Sequence, residues 1–201
     1  ETSHSDPNGV VPVLGNKAPV KSSHSIDESG QTAWGNGEIS AEVNYGRTVS
    51  LRCGSCHDPH GNGDYRILRP IPKESGASAG VTIPDAATKV YTTTNYWQVA
   101  DPNAPSFIAK ISEWCATCHT RYLSDTSYTE SGDAVFTKRH ISNQTKQGEA
   151  SCIQCHVAHG SNASVAEVGP GPVHSRKGVP TPADGYLLRI DNKGTCGMCH
   201  E

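Results

Sequence analysis

The sequence is short of what usually builds a protein core. Its 201 residues include two Phe and one Met, and only 34% of the chain is hydrophobic. A folded chain of this length buries about 70% of its extended surface, yet this composition lies near that of chains that stay unfolded. The expectation is that something apolar other than protein fills the centre. No run of about 20 apolar residues is present, so no transmembrane segment is expected. Positive charge is not in excess either: the formal net charge is −3, which argues against nucleic acid as a partner. The opening Glu1-Thr2-Ser3-His4 carries no leader pattern and suits a mature end left after signal removal. The sequence stops one residue after a histidine, and no C-terminal anchor is expected.

No cysteine is left over. The eight fall into four Cys-x-x-Cys pairs: Cys53/Cys56, Cys115/Cys118, Cys152/Cys155 and Cys196/Cys199. A disulfide scaffold would use eight cysteines, and zinc knuckles would use the pairs. Neither explains why a histidine follows every pair at once, as His57, His119, His156 and His200 do. Cys-x-x-Cys-His is the attachment motif of c-type haem. Thiols at i and i+3 lie on one side of a single helical turn and each bonds one vinyl group of the porphyrin. The next residue then brings its imidazole over the iron. Four haem c groups would supply the missing core, wrapped by loops rich in Gly and Pro. The expected fold is mostly irregular, with short helices and a small β-hairpin, organised around four covalently attached haems.

The second axial position of each iron needs a ligand of its own. Met198, the single methionine, lies inside the fourth motif and is badly placed. Six histidines remain: His4, His24, His60, His140, His159 and His174. All four irons can therefore be closed by two histidines, which leaves no open iron for catalysis. An electron carrier is expected, not an enzyme.

Two of the spare histidines sit in a repeated device. Cys53–Gly61 reads CGSCHDPHG and Cys152–Gly160 reads CIQCHVAHG. His60 and His159 each follow a proximal ligand by three residues and cannot reach the far face of the same haem. Each is expected to ligate a neighbouring haem, which forces close pairs. An internal repeat supports this. A first dihaem half runs over 20–131 and a second over 132–201, after an N-terminal arm at 1–19. The repeat suggests His60 for the haem of Cys115/Cys118 and His159 for that of Cys196/Cys199. It suggests His140 for the haem of Cys152/Cys155 and His24 for that of Cys53/Cys56, with His4 and His174 as alternates.

Between the motifs, Gly80–Val99 is rich in β-branched and aromatic residues and reads as a hairpin or two short strands. Ala104–Cys115 sets Phe107, Ile108 and Ile111 at helical spacing. Ser164–Pro182 reads as an extended wrap. Asn143 and Asn162 open short glycosylation patterns.

This motif set resembles the multihaem c-type cytochromes. Length, haem count and a histidine-bearing N-terminal arm are most similar to the extracellular tetrahaem filament subunits of the OmcE type. The resemblance implies bis-histidine haems stacked through a conductive homopolymer, with His4 or His24 ligating iron in a neighbouring subunit. It implies a cell-surface location and redox proteins or external acceptors as partners. A soluble periplasmic carrier is the alternative. A multihaem reductase is a third, and it would need an open iron.

Overall fold

The computed structural model describes residues 24–26, 30–37, 46–84, 105–124 and 151–161. It also describes the short strands named below and residues 131, 139 and 187. The described elements are short. Strands β1 (His4–Ser5) and β2 (Pro12–Val13) form one antiparallel pair. Strand β3 (Ser22–Ser23) precedes β4 (Gln31–Trp34) and β5 (Gly46–Val49), which pair as a hairpin. Helix α1 (Cys53–Cys56) is a single turn, α2 (Pro105–Ala116) runs three turns, and α3 (Cys152–Cys155) is again one turn. Strand β6 (Gly160–Ser161) returns to pair with β3, and β7 (Ser175–Arg176) pairs with β8 (Val179–Pro180). Among the described residues no helix is long and apolar enough to cross a membrane.

Among the described residues the main apolar cluster is small: Leu68, Ile83, Phe107 and Ile111. Phe107 and Ile111 are four apart on α2 and so share a face, and Pro105 opens that helix where its missing N–H costs nothing. The ring of Tyr65 meets Phe107 edge-on, with centroids 4.8 Å apart. Cys56 of α1, Trp114 of α2 and Ile153 of α3 all pack against this cluster. One core thus gathers three of the four Cys-x-x-Cys-His turns. Arg69 adds a polar tie: its Nε donates to the carbonyls of Gly54 and His57, while its own carbonyl accepts from Trp114 Nε1 at 2.7 Å. Much of the remaining buried set is serine, including Ser55, Ser75, Ser112 and Ser151.

The helix expected before the second motif is α2. Residues 80–84 of the expected hairpin are irregular, and its remainder lies outside the described residues. The hairpin that is described, β4–β5, occupies a stretch with no such expectation. Gly46 is required there: a Cβ on it would lie 1.7 Å from the Ala33 carbonyl oxygen. The stretches β7 and β8 fall within the segment expected to be extended. Asn143 and Asn162 lie outside the described residues.

Candidate functional site

The three described motifs close in the same way. The amide of the motif histidine donates to the carbonyl of the first cysteine: His57 to Cys53 at 2.9 Å, His119 to Cys115 at 3.1 Å and His156 to Cys152 at 3.0 Å. This is one turn of α-helical bonding, which sets both thiols on one side. In the first motif the turn is capped by Ser55, whose hydroxyl accepts from the Arg52 amide at 3.0 Å. Cys53, Cys56, Cys115, Cys118, Cys152 and Cys155 are free thiols, so no disulfide competes for them. Burial pushes the Cys56 thiol up to about 11, with the Cys118 and Cys53 sulfurs adding to it. The motifs also touch one another. The Cys115 and Cys152 thiols lie close enough to perturb each other, which raises Cys115 well above the usual thiol range and lowers Cys152. The Cys152 amide lies 3.4 Å from Ser112 Oγ on α2.

Three histidines have one ring nitrogen committed. Nδ1 of His57 lies 2.9 Å from the Arg66 carbonyl, Nδ1 of His119 lies 2.6 Å from that of Trp34, and Nδ1 of His24 lies 2.7 Å from that of Ala158. A carbonyl oxygen only accepts, so Nδ1 carries the proton and Nε2 keeps its lone pair in the neutral ring. This is the arrangement that prepares an imidazole to bind metal through Nε2.

The rings then fall into pairs. His24 and His119 have centroids 6.1 Å apart, and His57 and His159 have centroids 6.0 Å apart. Two imidazoles on opposite faces of one iron, each bonded at about 2 Å as histidine nitrogens bond metals, would put their centroids about 6 Å apart. Both separations match that spacing. This partnering differs from the one the repeat suggests, which sent His24 toward the first motif and His159 toward the fourth. Local repetition in the sequence cannot show that β3 crosses to β6. There Ser22 pairs with Ser161 and Ser23 with Gly160. One step further in the same register sets His24 against His159. Both residues keep exposed surface, yet desolvation of the rings holds both imidazoles below the usual histidine range. For His24 the Ala158 carbonyl works in the opposite sense, and for His159 the cationic forms of His57 and His24 add to the lowering. His24 has an open edge to water, but its ring nitrogen faces the chain.

His60 is exposed, and its amide is 3.2 Å from Asp58 Oδ1. His4 lies in β1. His140, His174, Cys196, Cys199 and His200 lie outside the described residues.

The sequence pattern did not point to the segment that holds His119. Besides the Trp34 carbonyl, Asn36 Nδ2 donates to the Cys118 carbonyl at 2.8 Å and the Arg121 amide to the Gly35 carbonyl at 2.8 Å. Tyr122 stacks on His119 at an interplanar angle of 9°. Gly35 has φ +71°, and a Cβ there would come within 2.5 Å of the Tyr122 ring. The signal in the sequence was the turn-forming run Trp34-Gly35-Asn36-Gly37.

Residues 21–164 match the N-terminal region of the NapC/NirT cytochrome c family. The chain belongs to that family. Its cofactor is accordingly haem c, four groups. Over 115 residues the chain is also 31% identical to the tetraheme c-type cytochrome CymA of Shewanella oneidensis. That match spans 55% of this chain and 60% of the relative, so the chain covers less than two thirds of CymA's length. No solved structure matches the chain.

Proposed function

We propose that this NapC/NirT family cytochrome is a tetrahaem electron relay that works outside the cytoplasm and passes electrons between redox proteins in the periplasm. The observation that carries the proposal is the pairing of imidazoles 6.0 and 6.1 Å apart, with Nε2 left as the ligating atom of His57, His119 and His24. In this reading His57 and His159 hold one iron and His119 and His24 a second. His156 and His200 are proximal at the third and fourth. His60, His140, His4 and His174 are the pool from which the last two distal ligands come. The fold is organised by its haems, with Leu68, Ile83, Phe107 and Ile111 as the protein's own contribution to the core.

Each bound haem supplies a one-electron iron couple. The chain's residues do the rest. The histidine pairs leave no coordination site for a substrate, which suits transfer rather than bond chemistry. Histidine on both faces, with no methionine, favours low potentials. The Cys115–Cys152 contact joins the second motif to the third, and the shared ribbon β3–β6 joins the first iron to the second. The relay order that follows is His57, His119, His156.

The filament suggested by the OmcE-type resemblance would require a histidine donated to another copy. His24 was one of two candidates, and its ring lies beside His119 of its own chain. A polymer would therefore have to use His4. Electron paramagnetic resonance of the oxidised, haem-loaded protein tests the relay: four low-spin irons per chain are expected, and any native high-spin iron would overturn it. Electron microscopy of the same sample separates single chains, the outcome expected here, from fibres.

A further inference from the structure

We infer that the β3–β6 ribbon is a shared clamp that positions the distal imidazoles of two irons at once, so that coordination at the His57 and His119 sites stands or falls together. The inference rests on the ligand pairing proposed above and adds to it a coupling between the sites.

The two strands come from distant parts of the sequence, and nothing local holds them together. Their register pairs Ser22 with Ser161 and Ser23 with Gly160, which brings the following residue, His24, level with the preceding one, His159. Each of these histidines serves a different motif: the ring of His24 lies 6.1 Å from that of His119, and the ring of His159 lies 6.0 Å from that of His57. A second tie crosses the ribbon at the same level, from His24 Nδ1 to the Ala158 carbonyl at 2.7 Å. The clamp is anchored beyond the histidine. Gln31 Oε1 accepts from the Ser25 amide at 3.2 Å, and Gln31 Nε2 donates back to the Ser25 carbonyl. Gln31 begins β4, and the last residue of β4, Trp34, offers its carbonyl to His119. The path from one iron's distal ligand to the other's proximal ligand is thus continuous hydrogen-bonded chain. Ser23 and Gly160 are positioning residues in this scheme. Neither touches iron.

The test uses the haem-loaded protein. In an antiparallel pair only alternate residues point their N–H at the partner strand. Of the separate variants Ser22→Pro and Ser23→Pro, one therefore removes a ladder bond and the other is its control. His24→Ala and His159→Ala serve as references, each expected to turn one iron high-spin. The ladder-breaking variant should retain four covalent haems by mass and show two high-spin irons. Its optical and resonance difference spectrum should equal the sum of those of the two histidine variants, and added imidazole should restore the low-spin form. One altered iron, or none, in both proline variants would overturn the clamp while leaving the ligand pairing intact. If His24→Ala and His159→Ala leave all irons low-spin, the pairing itself falls. Loss of low-spin character at all four irons, without rescue by imidazole, would mark a general structural role and also overturn the clamp.

Discussion

Nδ1 of His24 bonds the carbonyl of Ala158, 134 positions away in the chain, at 2.7 Å. That bond fixes the tautomer of one imidazole and leaves the next residue, His159, beside a different partner. The two ends of the matched family region thereby meet at a pair of histidines.

Gly35→Ala should disturb the His119 site. The new methyl would collide with the Tyr122 ring at 2.5 Å, in a backbone conformation of φ +71° that alanine disfavours. A loss of about 1–3 kcal/mol is expected for such a residue. Thermal unfolding of the haem-loaded protein reads the loss, and the redox titration should show one midpoint displaced. An unchanged titration would mean that Tyr122 and the Trp34 carbonyl do not tune this ligand.

His60→Ala should leave the irons of His57 and His119 untouched, because His159 and His24 occupy the facing positions there. Carbon monoxide binding to the reduced protein checks this. A new binding site at the His119 iron would restore the partnering that the repeat alone suggests.

Acid should release His24 and His159 late. Both imidazoles have lowered pKa values, chiefly through burial. An unfolded chain takes up these protons near pH 6.5, before the folded chain does. Their contribution to stability is therefore complete above pH 6.5 and is lost as pH falls through the lower folded-state values. In a titration followed by the Soret band, low-spin character at these two irons should persist at pH 6 and fail only further into acid. Loss of their low-spin character already at pH 6 would contradict the desolvated environment.

Phe107→Ala should cost about 3–5 kcal/mol, since Phe107 is 2% exposed and lies in the cluster shared by three motifs. Chemical denaturation of the haem-loaded variant measures it. A loss below about 1 kcal/mol would show that the haems alone sustain the core.

The attachment chemistry was legible in the sequence because it is local. Two thiols and an imidazole within five residues define one helical turn, and the bonds from His57, His119 and His156 back to Cys53, Cys115 and Cys152 show that turn three times. The helix carrying Phe107 and Ile111 was legible for the same reason: periodicity records a face. Which histidine rings lie beside one another was not legible. That depends on the pairing of β3 with β6, two residues each, too short to leave an alternating pattern. The support given to His119 by Trp34, Gly35 and Asn36 comes through backbone carbonyls, a left-handed glycine and one amide. Backbone carbonyls belong to every residue, so no residue type announces them. Sequence by itself determined the cofactor, which is written in covalent spacing. Only the tertiary structure decided the ring pairs, because contact across more than a hundred residues is set by strand register and packing.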